Sequence, residues 1–202
     1  MHTTVTPFVL HAWKEGRRPA VRSGWRGVSP EFGEITLTCP LTRTAHQAVV
    51  SEARGGLIPT ATFESRGIHA ENLRLPTLNR ATLRVGDRLV RMTRNRWGAT
   101  LEQRAVMLGH AGDRYRLAAV DGRGYVLTRA ADDEDPGVTV RVRESGRGAG
   151  RHLSVHVTGR AEGGDMALAL IFAGVDRSAL TRVGAVRSGV RRAVELWADA
   201  NA

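Results

Sequence analysis

The sequence contains a single cysteine, Cys39, and this scarcity limits the chemistry that the chain can carry. One thiol cannot form an intrachain disulfide, and one chain cannot supply the several thiolates of a zinc cluster. Cys39 also alternates with Ile35 and Leu37 in a strand pattern, so its thiol is expected to face inward and to be inert. The expected location is a reducing compartment, the cytoplasm.

Long hydrophobic runs are also missing. The longest near-continuous run, Met166–Val175, has ten residues, whereas a membrane-spanning helix needs about 20. Met1–Trp13 has no basic region, and its apolar stretch is too short for a signal peptide. A soluble cytoplasmic protein is therefore expected, with a peripheral position at a membrane as the alternative.

Lysine is nearly absent: Lys14 is the only lysine among 30 basic residues, and the other 29 are arginines. With 20 acidic residues, the 202-residue chain carries a net charge of +10. Such a surplus favours polyanionic partners such as nucleic acid or anionic lipid, although a GC-rich coding sequence would produce the same preference for arginine. The hydrophobic fraction of 42% excludes a disordered chain and predicts a single soluble domain.

Recognisable catalytic motifs are missing as well. There is no Gly-x-Ser-x-Gly nucleophile motif, and the glycine-rich segment 146–150 joins two predicted strands, so no helix N-terminus follows it to bind a phosphate. The acidic block 132–135 lacks the alternating spacing of a calcium-binding loop and is interpreted as an exposed hairpin tip. These features predict a protein that is not an enzyme and that needs neither a metal nor another cofactor.

Short alternating apolar and polar segments dominate the chain beyond its first third, with the spacing of antiparallel sheets. The clearest unit is 113–129, where two such segments flank an Asp-Gly turn typical of hairpins. A second hairpin is predicted to pair 138–143 with 153–157. Near the N terminus, 35–39 predicts a strand, whereas 42–54 fits either a helix or a strand.

The period changes near the C terminus. Residues 166–175 are apolar on every side and are good helix formers, and Asp165 is placed to cap the predicted helix 165–176. A helix that is apolar all round must be buried all round, and one of this length fits inside a small barrel. Residues 177–202 then place apolar side chains at three- and four-residue steps, which predicts an amphipathic helix.

Many short antiparallel strands are thus followed by one apolar helix, Asp165-Met-Ala-Leu-Ala-Leu-Ile-Phe-Ala-Gly-Val-Asp176. This order resembles the tubby-like barrel superfamily, most of all its LURP-one-related and phospholipid-scramblase branch. The resemblance covers about residues 71–176. It implies that twelve strands close around a central hydrophobic C-terminal helix, and that the domain is non-enzymatic and associates with membranes, anionic lipids or regulatory partners.

We therefore predict a mainly β fold, in which residues 1–176 form one antiparallel β-barrel that encloses the helix 165–176. Residues 177–202 form an amphipathic helical extension, and a β-sandwich with packed helices is the alternative architecture. The predicted function is that of a non-enzymatic module that binds an anionic lipid, a membrane surface or a protein partner through arginines. The alternative is a nucleic-acid-associated or assembly protein.

Two groups of basic residues are candidate anion-binding sites. Residues 80–96 contain six arginines and one acid, and Trp97 follows directly. Guanidinium groups can bind phosphate oxygens in pairs, and an indole can stack on a base. In the second predicted hairpin, arginines and histidines are expected to share one outward face, whose charge rises as histidines protonate near about pH 6.5. The candidates are Arg84, Arg88, Arg91, Arg94, Arg96, Trp97, Arg141, Arg143, His152 and His156.

The predicted C-terminal helix carries an apolar stripe that needs a surface to cover, because an isolated helix of this length with two glycines is marginal in water. Its own barrel, a second copy of the chain, or an anionic membrane would each supply that surface. Assembly of copies through this helix is therefore one of three alternatives. The candidate interface residues are Leu180, Val183, Val186, Val190, Val194 and Trp197.

Overall fold

The computed structural model describes residues 5–16, 21–44, 48–66, 75–95, 98, 100–133 and 135–181. Twelve strands lie along this part of the chain, and a single α-helix follows them. The strands are β1 (Phe8–Glu15), β2 (Arg22–Ser29), β3 (Gly33–Thr44), β4 (Ala48–Gly55), β5 (Ala61–Arg66), β6 (Ala81–Val85), β7 (Arg88–Arg94), β8 (Val106–His110), β9 (Asp113–Ala119), β10 (Gly124–Arg129), β11 (Val138–Ser145) and β12 (His152–Gly159).

Every strand pairs antiparallel with its neighbours in the sequence, and β1 pairs with β12 to close the sheet into a barrel. The closing register places Phe8 opposite Val155 and Leu10 opposite Leu153. Among the described strands, closure pairs both edges of the sheet, which removes a common site of aggregation. The predicted antiparallel barrel is confirmed, and the sandwich alternative is not formed.

Both predicted hairpins are present, as β9–β10 and β11–β12. The ambiguous segment 42–54 contains no helix in its described residues; instead β4 pairs with β3 on one side and β5 on the other. In β4, Val49, Ser51 and Ala53 are buried, while the residues between them are more exposed. This part of the segment therefore forms a strand and not a helix, because β3 and β5 complete its backbone hydrogen bonds.

The helix α1 (Gly163–Ile171) fills the barrel and continues as a 3₁₀ turn over Phe172–Gly174. Met166 to Phe172 are fully buried, and the Phe172 ring meets Phe63 edge-on at 5.7 Å between centroids. Each of its large apolar side chains contributes about 1.5 to 3 kcal/mol by burial. The barrel interior is therefore a packed core and not a channel, as the sequence predicted.

The start of this helix differs from the prediction that Asp165 is its cap. The N-cap is Glu162, and Asp165 lies three residues further on, where its Oδ2 accepts the Glu162 backbone N–H at 2.8 Å. Glu162 and Asp165 thus form a capping box, which satisfies backbone donors that the first turn leaves open. The two glycines, Gly163 and Gly164, are poor helix formers but lie inside that first turn.

Beyond the helix, Ser178–Leu180 form another 3₁₀ turn, and Leu180 is buried at 1% exposure in the barrel's core. This first residue of the predicted apolar stripe therefore packs against its own barrel. The remaining positions of the predicted amphipathic helix lie outside the described residues: they are Val183, Val186, Val190, Val194 and Trp197. None of the helices in the described part of the chain is long and apolar enough to cross a membrane.

Candidate functional site

Side chains along each strand alternate between the inside and the outside of the barrel, because successive residues of a strand point to opposite faces. In β9, Tyr115 and Leu117 are buried, whereas Arg114 and Arg116 point outward. In β7, Arg91 points outward in the same way. The register between strands therefore decides which outward side chains are neighbours.

The seven consecutive strands β6 to β12, all of whose residues are described, carry arginines but no carboxylate at their outward positions. Six arginines occupy these outward positions, and we call them the arginine face: Arg84, Arg91, Arg114, Arg116, Arg141 and Arg143. The described outward positions of β1 to β5 are balanced, with four arginines and four glutamates: Arg22, Arg26, Arg54, Arg66, Glu15, Glu34, Glu52 and Glu64. The barrel thus has one cationic side.

The predicted cluster 80–96 does not form a single patch. Arg84 lies opposite Leu89 on the outer face, and Arg91 lies further along the same face. Arg88 is at the turn end of β7, where it pairs with the buried Val85. Because alternate residues of β7 point to opposite sides, Arg88 and Arg94 start on the other side of the strand from Arg91.

Arg94 takes a different position from the other candidates of that cluster. Its Nη2 donates a hydrogen bond to Asn79 Oδ1 at 3.1 Å. It also lines a cavity of about 120 Å³ together with Leu78, Met92, Thr93 and Val106, whereas pockets for small molecules measure roughly 300–1,000 Å³. Arg96 and Trp97 lie outside the described residues.

The hairpin β11–β12 places its candidate residues on one outward face. Arg141 lies directly opposite the exposed His156, and Arg143 lies opposite Ser154. The Arg143 guanidinium also forms an ion pair with Asp121 at 2.9 Å. Because both partners of this pair are exposed, the attraction is weak and does not withdraw Arg143 from solvent.

His152 is also on this outward face, near the other end of β12. It lies opposite His11 of β1, and the two ring centroids are 6.4 Å apart. The exposed Arg26 of β2 is the next residue in the same row. The strip of histidines and arginines therefore continues from β12 across the closure of the barrel.

Sequence reasoning missed Arg114 and Arg116, although it identified their hairpin. Their signal was the alternation with the buried Tyr115 and Leu117, which places both arginines outside. The strand register brings Arg114 near Arg91, because these two residues lie on either side of Gly109. No local run of charge reveals that proximity.

A buried charge cluster at the helix N-terminus was also missed. Arg129 and Asp165, 6% and 2% exposed, form an ion pair at 3.1 Å, and Asp135 contacts the same guanidinium at 3.1 Å. The Tyr115 hydroxyl donates a hydrogen bond to Asp165 Oδ1 at 2.9 Å. Burial opposes the charge on Arg129, but the two carboxylates outweigh it and raise the pKa of Arg129.

This cluster joins separate parts of the chain. Arg129 ends β10, Asp135 belongs to the β10–β11 loop, and Asp165 lies in the first turn of α1. The Arg129 Nη2 also donates to the Arg160 carbonyl at 3.0 Å. Burial, followed by the Asp165 carboxylate, raises the pKa of Tyr115, so its hydroxyl stays protonated. The cluster holds the start of the helix against the barrel wall. Because its charged groups are paired with one another, we interpret it as a structural element.

The Cys39 thiol and the Ser51 hydroxyl are both buried. Burial raises the pKa of the Cys39 thiol to about 12, so the reactive thiolate is not formed near neutral pH. The Ser51 hydroxyl donates to the Gly174 carbonyl at 2.7 Å. Within the part of the chain that the structure describes, no group of three or more His, Cys, Asp or Glu side chains is arranged to hold a metal ion.

No protein-family model, no curated protein and no solved structure matches this chain.

Proposed function

We propose that this chain is a non-enzymatic binding module whose arginine face attaches it to an anionic membrane surface on the cytoplasmic side. The observation that carries the proposal is the run of seven strands with six outward arginines and no outward carboxylate. Arginines near an anionic bilayer contribute about 1 kcal/mol each, so several acting together support peripheral attachment.

Lipid phosphate fits the arginine face better than nucleic acid does. Proteins that bind single strands stack bases on aromatic side chains, and the outward positions of β6 to β12 hold no Phe, Tyr or Trp. They hold two exposed apolar side chains instead, Leu89 at 60% and Met107 at 45% exposure. Arginines mixed with exposed apolar groups suit the interface of a bilayer, where phosphate and acyl chain meet.

Membership in the tubby-like superfamily is part of this proposal. A closed barrel of twelve strands around one apolar C-terminal helix supports it, because the resemblance of the sequence implies that architecture. The lipid association that the resemblance implies agrees with the charge of the arginine face.

Vesicle sedimentation tests the proposal, with phosphatidylcholine vesicles that contain or lack phosphatidylserine. The variant Arg84→Gln/Arg116→Gln/Arg141→Gln should lose about 100-fold in affinity, since three arginines at about 1 kcal/mol each are removed. The matched control Arg22→Gln/Arg54→Gln/Arg66→Gln has the same net charge but alters the balanced side, and should bind within a few-fold of the wild type.

Two results would contradict the proposal. Equal losses in both variants would show that only net charge matters and that the arginine face has no special role. Tighter binding of the wild type to duplex or single-stranded oligonucleotides than to phosphatidylserine vesicles, at the same salt concentration, would replace the lipid by a nucleic acid.

A further inference from the structure

We infer that Arg91 and Arg114 form a clamp across Gly109 for the phosphate monoester of a lipid headgroup such as phosphatidic acid. The inference rests on the proposed function, because it assigns a specific headgroup to one part of the arginine face. Three adjacent strands, β7, β8 and β9, supply one residue each to this clamp.

The register creates a gap between the two arginines. Arg91 is the partner of Gly109 on one side, and Arg114 is its partner on the other. Neighbouring strands are about 4.8 Å apart, so the two arginine backbones are roughly 10 Å apart, with no side chain between them. A Cβ atom added to Gly109 would meet only the Arg91 Cβ, at 3.8 Å. The space above Gly109 is therefore open.

Both guanidinium groups are available for a ligand. Arg91 and Arg114 are exposed, and neither forms an ion pair with a carboxylate of the described residues. The nearest acids along the chain are Asp87, in the β6–β7 turn, and Asp113, which lies opposite His110. Asp113 has the inward orientation of Tyr115, so its side chain starts on the other side of the strand from Arg114.

The number of oxygens on the ligand favours a monoester. A phosphate monoester presents three terminal oxygens and a charge of about −1.5 to −2, enough for two guanidinium groups to bind at once. A phosphodiester, as in phosphatidylserine, presents two free oxygens and one negative charge on its phosphate. Two facing guanidinium groups therefore discriminate between headgroups, whereas dispersed arginines respond mainly to total surface charge.

The variant Gly109→Val fills the gap and leaves the net charge unchanged. Valine suits a strand, and the open space above Gly109 accepts it, so the variant should fold at least as stably as the wild type. The measurement is affinity for phosphatidic acid vesicles relative to phosphatidylserine vesicles of equal net surface charge. The wild type should prefer phosphatidic acid by about tenfold, the effect of a few charge-assisted hydrogen bonds.

Gly109→Val should abolish that preference while its binding to phosphatidylserine vesicles stays within a few-fold of the wild type. Arg91→Lys and Arg114→Lys should reduce it as well, because lysine keeps the charge but loses the planar fork. Arg141→Gln is the matched control: it removes a charge of the same face on β11, three strands from Gly109, and should weaken binding to both vesicles without changing their ratio.

Three outcomes would overturn the inference. A wild type that binds both vesicles equally has no clamp, although the proposed function would still stand. A preference that persists in Gly109→Val would place the headgroup elsewhere on the barrel. Inorganic phosphate that raises the melting temperature of the wild type but not of Gly109→Val, without any preference for phosphatidic acid vesicles, would assign the gap to free phosphate instead of a lipid.

Discussion

Arg129 is a charged residue held inside one end of the barrel, and its position is stable only because two carboxylates accompany it. Removing one partner of a buried ion pair leaves the other charge without compensation in a medium that solvates it poorly. The contribution of Arg129 therefore lies less in the attraction itself than in preventing an unpaired Asp165.

We expect Arg129→Met to lower the free energy of unfolding by about 3–5 kcal/mol, because Asp165 then remains buried without its counterion. Urea denaturation measures this loss. The matched control is Arg66→Met, which removes a guanidinium that is 73% exposed and paired with Glu64, and should cost less than about 1 kcal/mol. Similar losses in the two variants would show that the buried cluster has no special weight.

We expect protonation of Asp135 to lower the stability of the protein in acid. The Gly137 backbone N–H donates to its carboxylate at 2.7 Å, and together with the Arg129 guanidinium holds the pKa of Asp135 below its ordinary value of 3.8. The folded state thus binds this proton less tightly than the unfolded state does. Stability from ionised Asp135 is therefore present above the ordinary pKa and is lost as the pH falls through the lower pKa of the folded state.

Melting temperatures measured from about pH 6 down to pH 3 test this expectation. The wild type should lose stability over the acidic part of the range, and Asp135→Asn should lose less, since it has no carboxylate to protonate. The slope should not vanish, because hydrogen bonds also hold the pKa values of Glu31 and Asp121 low. Parallel curves for the two proteins would contradict the assignment.

At the scale of elements, α1 fills the barrel and packs against strands on different sides of it, among them β4, β5, β10 and β11. Leu170 is fully buried within it, and a carboxylate at that position would be removed from water. We expect Leu170→Asp to prevent folding, with loss of the cooperative transition in circular dichroism. Leu57→Asp is the control, since Leu57 is 68% exposed; a folded Leu170→Asp protein would contradict the enclosed position of the helix.

The sequence predicted correctly those elements whose apolar pattern fits only one type of secondary structure. The helix was predicted because a segment that is apolar on every side has no other place than the core. Its first residue was not predicted, because Gly163 and Gly164 weaken the helical pattern while the capping contact between Glu162 and Asp165 offsets that weakness. The segment 42–54 stayed ambiguous because its spacing fits two periods, and the pairing that decides between them is made with distant strands.

At the scale of the whole molecule, the asymmetry of charge comes from the acids more than from the arginines. Outward arginines occur on both sides of the barrel, as a preference for arginine in the coding sequence would produce. The outward glutamates occupy only the balanced side. A positive field on one side orients the molecule as it approaches an anionic surface, before any specific contact forms.

The candidate site was only partly predictable for a related reason. Arginines close in the sequence were identified, but β7 directs Arg91 outward and Arg94 towards the opposite side. Arg91 instead gains Arg114 as a neighbour, through two successive strand pairings across β8. The amino-acid composition shows the surplus of positive charge. Which guanidinium groups are neighbours is known only from the strand register of the closed sheet.

The position of α1 at the end of the barrel's chain order also has a consequence for synthesis. A ribosome releases all twelve strands before the segment that fills them, so the nascent barrel has apolar inner walls and nothing to pack between them. The exit of residues 163–180 is then the step at which burial of the interior becomes complete, because Leu180 is the last described core residue. A translation product that stops at Gly159 contains every strand but lacks the helix that fills the barrel, and we expect the cell's proteases to degrade it as an incompletely packed chain.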